Sequence, residues 1–433
     1  AIPSAASDFT IPYSCRFDST RSTHLERTMG TPTNAKKWVY SGWHKQGDVD
    51  HQEQSLFNGG LDGSGSGEGD IQLNGSEQLY VYQSGDYAYV STAKYRDPSA
   101  WYHIVVAVDT TQGTASNRVL AYVNGELITS WGTETDPSQD LDSTAINTAC
   151  EHRIGNERSD SREFDGYIAE THFIDGMSFF SDTSGTANSS FNINTFGETG
   201  DYGEWKPKEV SGVTYGNNGF YLDFADAADL GDDESGEGND FSETNIVAND
   251  QMLDSPTNNF CTINPLSAKS NNWTHSEGNL KVATESANQI TNSSFAVPTT
   301  SKWYCETLMT ADGGGNPMVG VCMAGGAAGS ATDANVIYRH DGSFEQNNSI
   351  TTGYATWTTG DIIGIAIDTT ATDGTITFYK NNVSIVSSTG LLTRFGAEGI
   401  MLINQSNGTD GHTQLWNFGQ DSSFAGEKTA QGN

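Results

Sequence analysis

The chain has 433 residues, about three times an ordinary ~150-residue domain, which points to two domains. Its 21 Lys and Arg against 55 Asp and Glu leave a net charge of −34, which argues against nucleic acid, anionic lipid and sulfated polymers as partners. Gly 48 beside Trp 9, Tyr 17 and Phe 19 describes a folded chain with many turns rather than an acidic disordered one.

Taken in order, the chain shows short runs with apolar residues at period two, bounded by Gly, Asn, Asp and Ser. They fall at residues 79–82, 87–90, 101–109, 119–123 and 166–174, and Asn124-Gly125 supplies the positive φ angles of a tight hairpin. Residues 180–220 are rich in Gly, Ser, Asn and Thr and read as weakly structured. A strand is predicted at 219–224, an acidic run follows at 229–240, and 250–265 has the character of a linker. A second set of strands covers 303–309, 318–323, 361–368, 375–380 and 399–403; Ile363, Ile365 and Ile367 share one face that would pack inward. The fold class is all-β, as two antiparallel β-sandwiches: residues 1–249, a linker at 250–258, and 259–433. No apolar run reaches the ~18–20 residues of a membrane span, so membrane insertion is not expected. Cys15, Cys150, Cys261, Cys305 and Cys322 are odd in number and dispersed, without a disulfide or zinc pattern, which reads as buried reduced thiols in a chain assembled in a cytoplasm.

Two resemblances sharpen this reading. Trp38-Val39-Tyr40-Ser41-Gly42-Trp43, the run Trp101 to Asp109, the hairpin Tyr122-Val123-Asn124-Gly125-Glu126, and Phe164-Asp165-Gly166-Tyr167-Ile168-Ala169-Glu170 resemble, in order and spacing, the strands of concanavalin A-like, laminin G-type jelly rolls. Trp357 to Asp368, Thr375-Ile376-Thr377-Phe378-Tyr379-Lys380-Asn381-Asn382 and Asn417-Phe418-Gly419-Gln420 resemble a SPRY (B30.2-like) domain, with Asn382 where that hairpin usually has Gly. The tandem, the opening Ala1-Ile2-Pro3-Ser4-Ala5 and the stretch Arg96 to Thr111 are similar to marine bacteriophage virion proteins. That resemblance implies a non-enzymatic structural protein on the virion surface, a fibre, adhesin or decoration. Its partners would be other virion proteins and a host-surface glycan or envelope component, and analogy with phage fibres implies a homo-oligomer, a trimer.

Jelly rolls of this type include glucanases, whose retaining members need two carboxylates ~5–5.5 Å apart, delivered by a strand spelling E-x-D-x-x-E. Glu68-Gly69-Asp70-Ile71-Gln72-Leu73 lacks the last acid, so no enzyme is expected, and His103 reads as a packed histidine. The alternative is a secreted carbohydrate-binding protein or glycoside hydrolase of the same fold. No cofactor is required by the sequence. Asp232, Asp233 and Asp240 are weak candidates for Ca²⁺, against a solvated acidic turn. For sugar binding, Tyr80, Tyr82, Tyr87 and Tyr89 are expected on one sheet face, buried or at an interface, with Trp131 as a more exposed ring. Asp333, Asn335, Tyr338, Arg339 and Asp341 are the candidate ligand-loop residues of the second sandwich, Tyr338 having a core reading as well.

Overall fold

The structure is a computed structural model that describes residues 9–49, 53–60, 67–180, 192–267, 273–284, 289–314, 316–323, 335–346, 349–395, 399–406 and 411–429. The chain divides into two compact units, Ala1–Asn259 and Phe260–Asn433.

The first unit contains β1 (Ser14–Phe17), β2 (His24–Thr28), β3 (Lys37–Gln46), β4 (Gln54–Gly60), β5 (Glu68–Leu73) and β6 (Leu79–Gln83). These are followed by β7 (Tyr87–Ser91), β8 (Tyr102–Asp109), β9 (Val119–Val123), β10 (Glu126–Leu127), β11 (Trp131–Thr135) and β12 (Glu151–Ile154). The unit continues with β13 (Gly166–Asp175), β14 (Gly197–Thr199), β15 (Trp205–Pro207), β16 (Phe220–Leu222), β17 (Ser242–Thr244) and β18 (Gln251–Met252). One sheet has the order β10-β9-β8-β3-β13-β1-β18, with β16 also on β13; the other runs β11-β7-β6-β5-β4-β12-β2-β17. Trp38, Tyr40, Phe57, Ile71, Val81, Ile104, Val106 and Phe173 fill the space between them. At the β9–β10 turn Asn124 (φ 49°) and Gly125 (φ 78°) both take positive φ, and a Cβ on Gly125 would collide with the Trp205 ring.

The strands of the first sheet are apolar on both faces. Val39, Val105, Ala107 and Ile174 point away from the main core and are covered by Phe179, Phe196 and the half-buried Val210, Val213 and Tyr215. Trp43, Trp101, Tyr167 and Ala169 are covered likewise by Ile11 and Met252. The stretch expected to be weakly structured is therefore, over its described part (192–220), a cover with its own β14–β15 hairpin. Its Gly and Asn content makes the turns, while a few aromatics do the burying.

The expected linker at 250–258 is corrected too. Gln251 and Met252 pair with Cys15 and Ser14 in β1. Asp250 binds Arg16 at 3.0 Å and Arg21 at 2.8 Å. Asp254 takes the Lys45 ammonium at 2.7 Å, with both side chains fully buried, and the Trp101 indole N–H at 3.0 Å. Buried charges persist only when paired and hydrogen-bonded, so this segment is an integral part of the first unit.

The second unit contains β19 (Ile263–Asn264), β20 (Trp273–Ser276), β21 (Lys281–Thr284), β22 (Gln289–Val297), β23 (Lys302–Asp312), β24 (Pro317–Met323) and β25 (Asn335–Arg339). It ends with β26 (Phe344–Gln346), β27 (Ser349–Thr351), β28 (Ile362–Asp368), β29 (Thr375–Lys380), β30 (Val383–Thr389), β31 (Ile400–Ser406) and β32 (His412–Asn417). Two seven-stranded sheets result, β19-β22-β31-β24-β25-β26-β27 and β20-β21-β32-β23-β28-β29-β30, packed over one core. Ile363, Ile365 and Ile367 lie in that core, as their alternation required. Asn381 and Asn382 both take positive φ (47° and 67°), so Asn382 supplies the turn in place of the usual Gly. All five cysteines are free thiols, with Cys15, Cys150 and Cys305 buried.

Candidate functional site

Residues directly opposite each other in an antiparallel pair share a face. In the β6–β7 hairpin Val81 opposes Tyr89 and Gln83 opposes Tyr87, whereas Tyr80 opposes Val90 and Tyr82 opposes Ala88. The four tyrosines therefore do not line one face. Tyr87 and Tyr89 enter the core, while Tyr80 and Tyr82 stack on the outer face with ring centroids 4.6 Å apart.

That outer face continues across β5 and β4, since Tyr82 opposes Asp70, which opposes Asn58. Glu68 and Asp70 stand two residues apart on the same side of β5. Arg162, from the β12–β13 connection, lies across both. Its Nη1 donates to Glu68 Oε1 at 2.6 Å and to the Tyr82 hydroxyl at 2.8 Å, and sits 3.5 Å from Asp70 Oδ2; its Nε donates to Glu53 at 2.8 Å. Asn58 Nδ2 donates to Glu68 at 3.1 Å and Ser55 Oγ to Asp70 at 2.7 Å. Burial pushes the Asp70 carboxyl well above the usual carboxylate range, with the Ser55 hydrogen bond and Arg162 opposing it. Asp70 has no exposed surface and Glu68 is 6% exposed, so neither acid is open to a glycosidic oxygen. What reaches solvent is the half-buried Tyr80, Glu53 and the rim of Arg162. At Glu53 this rim meets an open groove of about 440 Å³ lined by Ser19, Thr20, Asp48, Asp160 and Glu163. Such a surface can accept hydrogen bonds from hydroxyl groups.

The other sequence candidates are dispersed. His103 is buried between Trp43 and Trp205, with Ser41 Oγ on Nε2 at 2.8 Å and the Trp205 indole N–H on Nδ1 at 2.9 Å. Burial holds its pKa well below the ordinary histidine value, and both ring nitrogens are in use. Asp233 accepts from the backbone N–H groups of Tyr221, Ser235 and Asn239 and from the Ser235 hydroxyl, which makes it a loop staple; Asp240 accepts from the Asp233 N–H. Asp232 is half-buried, and among the described residues no group of three or more His, Cys, Asp or Glu is placed to hold a metal ion. Trp131 is half-buried rather than exposed, edge-on to Tyr89 at 5.2 Å, because its edge strand β11 folds it back on the core. In the second unit Tyr338 is core, with its hydroxyl on the Ala355 carbonyl, and Arg339 pairs with Glu345. Asn335 donates to the same Glu345 at 3.3 Å, Asp341 caps the Ser343 N–H at 2.8 Å, and Asp333 lies outside the described residues. Arg162 and Glu53 had no sequence signal of their own, because nothing in their neighbourhood announces a loop that returns across β5.

Residues 19–177 match the family model of the concanavalin A-like lectin/glucanases superfamily, of the laminin G type. The first unit has a concanavalin A-like, laminin G-type fold. Solved structures similar to the chain include the SPRY domain of human HERC1, at 17% identity over 36% of this chain and 98% of that one, with a TM-score of 0.29. The mouse laminin alpha1 LG4-5 domains align at 9% identity over 96% of this chain and 92% of that one, with a TM-score of 0.31. Stonustoxin aligns at 17% identity over 36% of this chain but only 27% of its own, with a TM-score of 0.29. No curated protein matches the chain.

Proposed function

We propose that this protein binds carbohydrate without cleaving it, and that it does so as a structural component of a virus particle surface. The observation that carries the non-enzymatic part is the closed Glu68–Arg162–Asp70 network. A retaining glycosidase needs one accessible acid and one accessible nucleophile, whereas here one carboxyl is fully buried and the other is bonded to Arg162 and Asn58. The groove beside Glu53 offers hydroxyl and carboxylate groups suited to a neutral sugar, since a chain of charge −34 would repel an acidic one. The assignment to a virion rests on the resemblance of Ala1–Ala5 and Arg96–Thr111 to phage surface proteins. Trimer formation belongs to the same reading. The Tyr80–Tyr89 strands and the 192–220 cover, which would have been natural contact surfaces for a trimer, already have much of their apolar surface packed inside the first unit. Two measurements test the proposal. Gradient-purified particles should contain the chain, and the purified protein should release no reducing ends from β-glucans; steady release would restore the hydrolase alternative, and absence from particles would remove the virion assignment.

A further inference from the structure

The second unit places a different set of groups on the outer face of its β23–β28 sheet. Along β23, Cys305 and Thr307 point inward, so Tyr304 and Glu306 point outward, opposite Ala366 and Gly364 of β28. The Tyr304 phenol lies across Gly364, where a Cβ would collide with its hydroxyl. That hydroxyl donates to Glu306 Oε1 at 2.7 Å. The ring is thus fixed at both ends of its reach, yet Tyr304 remains 48% exposed. Glu306 also opposes Asn417 of β32. Asn417 spends its Oδ1 on the Gly419 and Asp421 N–H groups, at 2.8 and 3.3 Å, which leaves its Nδ2 as a donor without a partner among the described residues. Glu306 Oε2 is an acceptor in the same condition. Tyr304, Glu306 and Asn417 line one cavity of about 500 Å³ together with Asn382, Phe424 and Lys428. That volume is in the range of small-molecule sites.

A held aromatic face beside one free acceptor and one free donor is what a pyranose ring requires. Its C–H face stacks on the π-face, and adjacent hydroxyls each give and take a hydrogen bond. Glu306 and the charge of the whole chain disfavour acidic sugars. We propose that this cavity is a second carbohydrate site, specific for a neutral pyranoside, with Tyr304 as its platform and Glu306 and Asn417 as the groups that fix the hydroxyls. It stands independently of the groove at Glu53.

Saturation-transfer NMR on the full chain tests this with methyl β-glucoside, methyl β-galactoside and methyl N-acetyl-β-glucosaminide at millimolar concentration. Transfer to the ring C–H protons of at least one glycoside is expected. In a Glu53→Ala background, which removes the groove's contribution, Tyr304→Ala, at a half-exposed position, should weaken the remaining transfer by about tenfold or more, as should Gly364→Ala, which keeps the tyrosine but drives its ring off the strand. Glu306→Gln should weaken it several-fold. A melting temperature equal to that of the unsubstituted chain excludes misfolding as the cause. No transfer from any of the three glycosides, or transfer in Glu53→Ala left unchanged by adding Tyr304→Ala, overturns the proposal. Transfer unchanged in Tyr304→Ala but lost in Glu53→Ala places the sugar in the first unit, so that this site falls while the carbohydrate-binding reading stands.

Discussion

The two units handle the outer face of a sheet in opposite ways. In the first, β3, β8 and β13 are buried on both sides, between the main core and a second layer of Phe179, Phe196, Ile11 and Met252. In the second, the outer face of β23 and β28 is covered at one end only, where Phe424 and Ala425 pack on Leu308, Leu415 and Ile362, and the rest stays open around Tyr304. Charge follows the same division. The first unit buries the pairs Arg16–Asp250 and Lys45–Asp254, whereas among the described residues of the second unit Lys302–Asp368, Lys380–Asp361 and Arg339–Glu345 all keep some exposure. A twice-covered sheet has no face left to offer a ligand, so under the proposed function a site in the first unit would have to lie on the opposite sheet, whereas the singly covered sheet of the second unit leaves a face open around Tyr304.

Acid should widen this difference most. Burial lowers His44 to about 3 and His152 to about 4 in the first unit and holds His103 well below 6.5; His275 and His412, in the second, are lowered to about 4. A histidine kept neutral by burial contributes stability that is fully present above pH 6.5, its value in the unfolded chain, and is lost as pH falls towards the folded value. At 1.36 kcal/mol per pKa unit, His152 alone would lose on the order of 3 kcal/mol by about pH 4. The raised Asp70 works against this, since its contribution falls as pH rises above about 4. Thermal melts through that window should fall steeply, and proteolytic mapping should find the first unit opening before the second; a flat profile would mean the histidines are hydrated.

Asp254→Ala comes next, at about 3–5 kcal/mol, because it strips the buried Lys45 ammonium of its carboxylate. Hydrogen exchange should show protection lost within residues 9–259 and kept within 260–429, while Lys45→Met with Asp254→Leu should restore much of it. Phe424→Ala acts in the other direction, costing about 3 kcal/mol in the second unit alone, as its small satellite cluster comes apart. The smallest effect belongs to Asn382→Gly, which replaces one residue tolerant of positive φ by another and should move the denaturation midpoint by only a few tenths of a kcal/mol.

Strand positions were legible in the sequence wherever alternation or a turn signal set them, as with Ile363-Ile365-Ile367 and Asn124-Gly125. Faces were less so. Tyr80 and Tyr89 look equivalent in a period-two pattern until the hairpin register is known, and one hairpin sends them to opposite sides. The covers were hidden for a different reason. Phe196 stands among Asn, Thr and Gly and Trp205 between Glu204 and Lys206, so no local pattern reveals that the first is buried and the second half-buried against a distant strand. The pair Tyr304 and Glu306 did carry a signal, outward positions two apart on a strand, but its meaning depends on Gly364 from another strand and Asn417 from a third.

The bond between Lys45 and Asp254 also sets a timetable. The two residues are 209 positions apart, and Arg16 and Asp250 are 234 apart. At roughly 5–20 residues per second, a ribosome that has made β1 and β3 needs some tens of seconds to deliver the acids that neutralise them. Through that interval the nascent chain holds two unanswered cations and strands with apolar residues on both faces. The first unit therefore cannot close fully before residue 254 has been made, and a translational stall ahead of Asp250 should leave β1 and β3 without the acids that neutralise them.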